Sequence, residues 1–232
     1  MRETGTLRVG VLGGTFDPFH GGHLAIARGA AERLKLDHVL IVPARIPPHK
    51  GKVRITDGYH RHAMAVLATE AYPNLYVSRT ELNREGPSYT IDTMSALAHE
   101  PGRRVCFLAG ADSLREIHLW RECDRLFREH CLVFVPRSGV EVDLSDLKIG
   151  PELKMLIQTL EPGECPELNP GSAFILPLNP PPVSSTGIRD ELCRGIRPPR
   201  TDLGSRVYRY IRKYRLYEEQ QKGTAEEDLR GH

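Results

Sequence analysis

An apolar run, Leu7 to Leu12, stops at Gly13-Gly14, and a second glycine pair, Gly21-Gly22, opens a stretch with Leu24, Ala27, Ala31 and Leu34 at helical spacing. That order spells strand, glycine turn, helix. In open parallel sheets ligands sit beyond the carboxyl ends of strands, where a glycine turn lets a phosphate reach backbone N–H groups and a helix N-terminus supplies partial positive charge. The turn itself reads GGTFDPFHGGH. Gly13 and Gly14 admit close backbone approach, Thr15 offers a hydroxyl, and the spacing of His20 and His23 puts both imidazoles on one side of a helical first turn. A lone His-x-x-His pair more often caps a loop or binds metal, but the flanking glycines shift the reading toward phosphate. Neither GxGxxG nor GxxxxGK[ST] occurs here, so hydride transfer and P-loop phosphate transfer lose support. Asp17, beside Pro18, reads as an ordinary turn pair whose carboxylate satisfies local backbone.

The strand and helix alternation continues along the chain. HVLIVPA (38–44) is strand-like, a helix is expected from about Asp57, its N-cap, to Ala71, and NLYVSR returns to strand. TIDTMSALAHE is helical, RRVCFLAG a strand ending at Gly110, DSLREIHLW and DRLFREH short helices, and CLVFVP a buried strand. This pattern predicts an α/β fold with a doubly wound, mostly parallel sheet. From Arg137 to Ser172 the pattern loosens into a surface connection, with Leu153 to Leu160 able to hold a helix. AFILPL resumes as strand, VSSTGIRDELCRG opens a helix, and DLGSRVYRYIRKYRLY has the apolar spacing of an amphipathic C-terminal helix. Residues 1–217 are expected to form one domain, and the polar 218–232 to fray.

Composition narrows the partners. With 32 Lys+Arg against 30 Asp+Glu in 232 residues, the formal charge is +2, without the basic excess expected of a nucleic-acid or membrane-surface binder. Five cysteines are scattered and never form CxxC, which argues against a disulfide framework or zinc knuckle and for a reducing cytoplasm. No segment approaches a membrane span.

The other chemical segment is VSSTGIR, Val183 to Arg189, which enters a helix from a Pro-rich turn. Any single hydroxyl here reads as an N-cap. With Thr186 as the cap, Arg189 occupies the third helical position, where the macrodipole disfavours a cation by about 0.3–1 kcal/mol. An anion held at that terminus, or a nearby carboxylate, reverses the penalty.

GGTFDPFHGGH and VSSTGIR resemble the HxGH and SSTxIR signatures of the nucleotidyltransferase superfamily, whose fold is Rossmann-like. With PPHK (47–50), RHAM (61–64), PSYTIDT (87–93), GADSL (110–114) and Trp120 in the same order, the chain looks like a bacterial nicotinate-nucleotide adenylyltransferase. The resemblance runs from about residue 7 to 217. It implies transfer of the adenylyl group of ATP to nicotinate mononucleotide, with Mg²⁺ assisting, giving deamido-NAD and pyrophosphate. It further implies His20, His23 and Arg189 as catalytic residues, with Gly13, Gly14, Thr15, Phe16, Ser184, Ser185, Thr186 and Ile188 around ATP, Ile188 near adenine. Lys50, with His49 beside it, Thr90, Asp112 and Trp120 fall to the acceptor. In relatives an aromatic often follows the tryptophan; Arg121 here implies a thinner or partly cationic pocket wall. Residues 137–172 align with no motif of the family, and no metal ligand is assigned.

Three other readings stand beside this one. The same chemistry serves nicotinamide mononucleotide or a phosphopantetheine-like acceptor; a non-catalytic nucleotide sensor keeps the fold without turnover; and a metal on His20, His23, His60 and His62 lacks carboxylate or cysteine partners. The expected partners are small molecules rather than nucleic acid or membrane, and assembly into identical copies is compatible with the sequence.

Overall fold

The computed structural model describes residues 5–48, 55–98, 100–136 and 142–218. β1 (Leu7–Gly14), β2 (His38–Pro43), β3 (Leu75–Val77), β4 (Arg103–Gly110), β5 (Cys131–Val135), β6 (Ile157–Thr159) and β7 (Ala173–Ile175) form a seven-stranded sheet in the order β3-β2-β1-β4-β5-β7-β6. Every neighbouring pair is parallel. The helices between them are α1 (Gly21–Arg33), α2 (Gly58–Thr69), α3 (Thr90–Ala98), α4 (Ala111–Arg115), α5 (Cys123–Glu129) and α6 (Pro151–Lys154), followed after the sheet by α7 (Ser185–Cys193) and α8 (Ser205–Lys213).

Because successive strand residues face opposite ways, the strands feed two apolar layers. Cys106, Leu108, Val133 and Val135 join Ala27, Ala30, Ala31 and Leu34 of α1 on one face. Val9, Val11, Phe107, Leu132 and Phe134 join Ile91 and Met94 of α3 and Leu126 and Phe127 of α5 on the other. A third cluster ties the end of the chain to the sheet domain: Met64 of α2 packs with Ile188 and Leu192 of α7, Leu203, and Val207 and Ile211 of α8.

The expected strands and helices are present, with one correction. Within Leu153–Leu160 only Lys154 and its predecessors are helical, and Ile157–Thr159 instead add the outermost strand. Ile157 is buried while Gln158 and Thr159 are exposed, so an edge position suits this short, mixed segment. Of the 137–172 connection, residues 137–141 lie outside the described residues, as does the tail beyond Glu218.

The strand order places the site. From β1 the chain moves outward to β2 and β3, then α3 carries it back across to β4 on the other side of β1. The carboxyl ends of β1 and β4 thus flank a topological switch point, and they carry Gly13-Gly14 and Gly110.

Candidate active site

Two cavities meet at the β1 turn. The larger, of about 350 Å³, is lined by Gly13, Gly14, Phe16, His20, His23, Asp112, Ser113 and the segment Pro180–Thr186. The smaller, of about 160 Å³, is lined by Gly13, Gly14, Thr15, Glu81, Tyr89, Thr90, Phe107, Ser113, Trp120 and Arg121. Gly13, Gly14 and Ser113 belong to both. A Cβ on Gly14 would stand 2.7 Å from the Phe16 ring, so the turn has no room for a side chain between the two spaces.

His20 is the N-cap of α1 and His23 its third residue; their rings stack at 3.7 Å between centroids, 21° from coplanar. The His20 backbone N–H donates to His23 Nδ1 at 3.3 Å. That bond fixes the tautomer: Nδ1 is an acceptor, so the neutral ring carries its proton on Nε2 and presents a donor there. Phe16, edge-on at 4.9 Å, and Phe19, at 5.3 Å, confine the His23 ring.

The C-terminal quarter of the chain clamps this loop. Ser185 Oγ donates to the Pro18 carbonyl at 3.1 Å, Arg189 Nη1 to the Asp17 carbonyl at 2.7 Å, and the Gly21 N–H to the Asp202 carbonyl at 2.8 Å. The Thr201 carbonyl lies 2.0 Å from where a Cβ on Gly21 would stand, so only glycine allows this approach.

Several expected residues sit differently than the sequence implies. Ser184, not Thr186, caps α7, accepting from the Gly187 N–H at 3.1 Å, so Arg189 is the fifth helical residue rather than the third. Its other amino group donates to Thr186 Oγ1 at 3.2 Å, and it lines a separate cavity of about 390 Å³ with Asp17, Thr56, His60 and Tyr217 rather than the histidine cavity. At the fifth position Arg189 stands beyond the first turn, where the macrodipole bears on it less, and the Asp17 carbonyl accepts from it. Ile188 is 3% exposed within the third cluster and lines neither cavity. Asp112 lines the histidine cavity, not the one with Thr90 and Trp120. Lys50 and His49 lie outside the described residues, although Pro47 and Pro48 line the smaller cavity.

Trp120 and Thr90 do share that smaller cavity. Trp120 meets Phe107 edge-on at 5.8 Å, and the Arg121 guanidinium lies 4.8 Å over the Tyr89 ring, giving the cavity a partly cationic wall. Thr90 begins α3, and the first backbone N–H groups of a helix have no partner within it.

Two buried charged residues escaped the sequence reading. Arg61, quoted there only within RHAM, is 1% exposed and donates to four backbone carbonyls: Thr15 at 2.6 Å, Ala44 at 2.6 Å, Thr56 at 2.7 Å and Arg45 at 3.5 Å. It pins the β1 turn to the end of β2 and the start of α2; burial lowers its pKa against the raising influence of Asp17. Glu81 accepts from Thr93 Oγ1 at 2.6 Å, and burial holds its carboxyl above the usual range. Neither has a local sequence signal, because the partners are carbonyls or residues far along the chain. Among the described residues, no group of three or more His, Cys, Asp or Glu is placed to hold a metal.

The family model for cytidylyltransferase-like proteins matches residues 11–191, which span both cavities. The probable nicotinate-nucleotide adenylyltransferase of Thermoanaerobacter sp. (strain X514) is 38% identical over 91% of this chain and 94% of its own length. The chain belongs to the nicotinate-nucleotide adenylyltransferase family. Another member, from Leifsonia xyli subsp. xyli (strain CTCB07), is 37% identical over 94% of this chain and 97% of its own. Among solved structures, the Plasmodium falciparum nicotinic acid mononucleotide adenylyltransferase complexed with NaAD aligns with a TM-score of 0.67, covering 91% of this chain and 97% of that one at 18% identity, which shows the shared fold. The adenylyltransferase family thus spans the described sheet, the glycine turn and the helix that carries Arg189.

Proposed function

We propose that the protein transfers the adenylyl group of ATP to nicotinate mononucleotide, forming deamido-NAD and pyrophosphate in NAD biosynthesis. The observation that carries this reading is the pair of cavities joined at Gly13-Gly14, one with two stacked histidines, the other with Trp120 and Thr90. Two substrates placed in them meet at the glycine turn. Family membership at 38% identity over nearly the whole chain supports the same acceptor.

In this reaction a 5′-phosphate oxygen of the mononucleotide bonds to the α-phosphorus of ATP while the bond from that phosphorus to the bridging oxygen breaks, and pyrophosphate leaves with the electron pair. The attacking oxygen is already anionic, so no side-chain base is needed; positioning and charge stabilisation suffice. His23, with its Nε2 proton fixed by the His20 backbone, donates to the α-phosphoryl oxygens, and His20 stacks beside it on the phosphates. Gly13, Gly14, Thr15 and Phe16 supply backbone or hydroxyl contacts to phosphate, and Ser184, Ser185 and Thr186 at the start of α7 hold the β- and γ-phosphates. Arg189, bridging Asp17 and Thr186, joins them by way of Thr186. Trp120 stacks on the pyridine ring, the N-terminus of α3 at Thr90 receives its carboxylate, and Lys50 adds charge. Ile188 lies near adenine, and Asp112 orders the phosphate side.

Asp112, the carboxylate lining the histidine cavity, would hold a Mg²⁺ brought in with ATP, and the ion would supply charge neutralisation at the phosphates. We place the enzyme in the cytoplasm, acting on small molecules rather than nucleic acid, on residues 1–217 as one catalytic domain; assembly into identical copies is compatible with the fold. Among the described residues no helix is long and apolar enough to cross a membrane, and the cysteines are free.

The deciding experiment measures pyrophosphate released from ATP with nicotinate mononucleotide, nicotinamide mononucleotide and phosphopantetheine at equal concentration. The expected result is a clear preference for nicotinate mononucleotide. Equal rates remove the acceptor assignment; ATP binding with no release under any acceptor turns the reading into a nucleotide sensor.

A further inference from the structure

Asp17 does not behave as a local turn residue. It is 4% exposed, and its carboxylate is claimed from distant parts of the chain: Tyr217 Oη donates to Oδ1 at 2.6 Å and the Thr56 N–H to Oδ2 at 3.2 Å. Its carbonyl accepts from Arg189. Only Pro18 and Phe19 separate Asp17 from His20, and Phe19 is fully buried against His23. A displacement at Asp17 therefore reaches the histidines through a segment with no slack.

Tyr217 reaches Asp17 at a conformational cost. It adopts φ 63° and Arg215 φ 51°, left-handed geometries that disfavour any side chain, and together they turn the chain back after α8. Val207 and Ile211 bury the apolar face of α8 in the third cluster and the Tyr217 ring packs against the same cluster, so the ring serves packing and only the hydroxyl serves Asp17. Burial and the adjacent carboxylate hold the phenol pKa well above its ordinary value, so the hydroxyl remains a donor.

We propose that Tyr217 is a positioning residue for the transfer reaction, holding the Asp17 carboxylate so that His20 and His23 meet the phosphates in register. This rests on the functional reading above.

The test is Tyr217→Phe, which keeps the ring and removes only the hydroxyl, alongside Asp17→Asn, which keeps an oxygen acceptor, and the double variant. For Tyr217→Phe the expected result is a kcat lower by about ten- to a hundredfold, with both KM values changed by less than about threefold, the scale of loss that an ångström of misplacement produces. Asp17→Asn alone should lose less, and the double variant should be no worse than Tyr217→Phe, because the two groups act as one unit. Amide hydrogen exchange in residues 17–23 should quicken in Tyr217→Phe while exchange in β4 and β5 stays at the parental rate. A kcat within twofold of the parent, losses that multiply, or quickened exchange across the whole sheet overturns the proposal. Should Tyr217→Phe fail to fold, a parental exchange rate in the 17–23 loop of folded Asp17→Asn paired with a full loss of kcat overturns it as well. If the parent protein releases no pyrophosphate with any acceptor, the functional reading falls by itself, and the loop exchange still decides whether Tyr217 holds Asp17.

Discussion

His23 shows how one backbone hydrogen bond sets the chemistry of a ring. With Nδ1 accepting from the His20 N–H, the donor face is Nε2, and the contribution belongs to charge that develops during transfer. His23→Ala is therefore expected to lower kcat by about 10²- to 10⁴-fold with little change in Tm, measured by pyrophosphate release and thermal melting. Glu81 yields a pH signature. Its native pKa is raised by burial, so the folded state holds the proton more tightly than the unfolded chain; the resulting stabilisation is complete below the usual carboxylate pKa and is lost as pH rises through the native value. Glu81→Gln removes that loss, and its Tm relative to the parent should rise as pH climbs above the usual carboxylate range; an unchanged difference would place the carboxyl in water. At this scale the grouping of residues was legible where they sit in a compact motif: His20 and His23 line one cavity, Thr90 and Trp120 the other. It was opaque where the partner lies far along the chain. Arg61 gives its guanidinium to four carbonyls, which carry no side-chain signature, and Asp17 reads as a local turn although Tyr217 and Thr56 satisfy it.

Among the elements, α1 and α7 begin in the same cavity by different means. α7 starts on Ser184, a hydroxyl cap, whereas α1 starts on His20, with the Gly21 N–H given to the Asp202 carbonyl. Gly21→Ala would drive a methyl into the Thr201 carbonyl, so it should destabilise the fold by about 3 kcal/mol in urea titration and abolish turnover. Gly22 borders softer neighbours, and Gly22→Ala should cost less. The strands were readable because β1, β4 and β5 are continuous apolar runs buried on both faces, ending at glycine or proline. β6 was not: three residues with one buried side chain carry neither a period of two nor a helical one, and only the exposed edge of β7 gives them a place. The cap of α7 was misplaced by two residues because Ser184, Ser185 and Thr186 are equivalent cappers in sequence, and geometry alone selects among them.

At the scale of the whole molecule, both cavities open at the switch point between β1 and β4, so each substrate bridges parts of the chain that are otherwise joined only through the sheet. Binding to the folded state alone raises stability by about 2.7 kcal/mol at a ligand concentration a hundred times Kd. ATP is expected to raise Tm in the parent and to raise it much less in a Ser184→Ala, Ser185→Ala double variant, read by scanning calorimetry; equal shifts would move ATP away from α7. The doubly wound order followed from the alternation of strands and glycine turns, but the docking of α7 and α8 onto α2 did not, because Met64, Ile188, Leu203 and Val207 are each ordinary apolar residues in their own elements. The same docking has a bearing on synthesis. A ribosome delivers the imidazoles early and the groups that fasten them late, Tyr217 standing 200 positions after Asp17. Polypeptides released by a premature stop after Pro182 lack Ser185, Arg189, Asp202 and Tyr217, and in a run-off translation assay they should consume no ATP, so that unfinished copies of the enzyme are harmless to the cell's nucleotide pool.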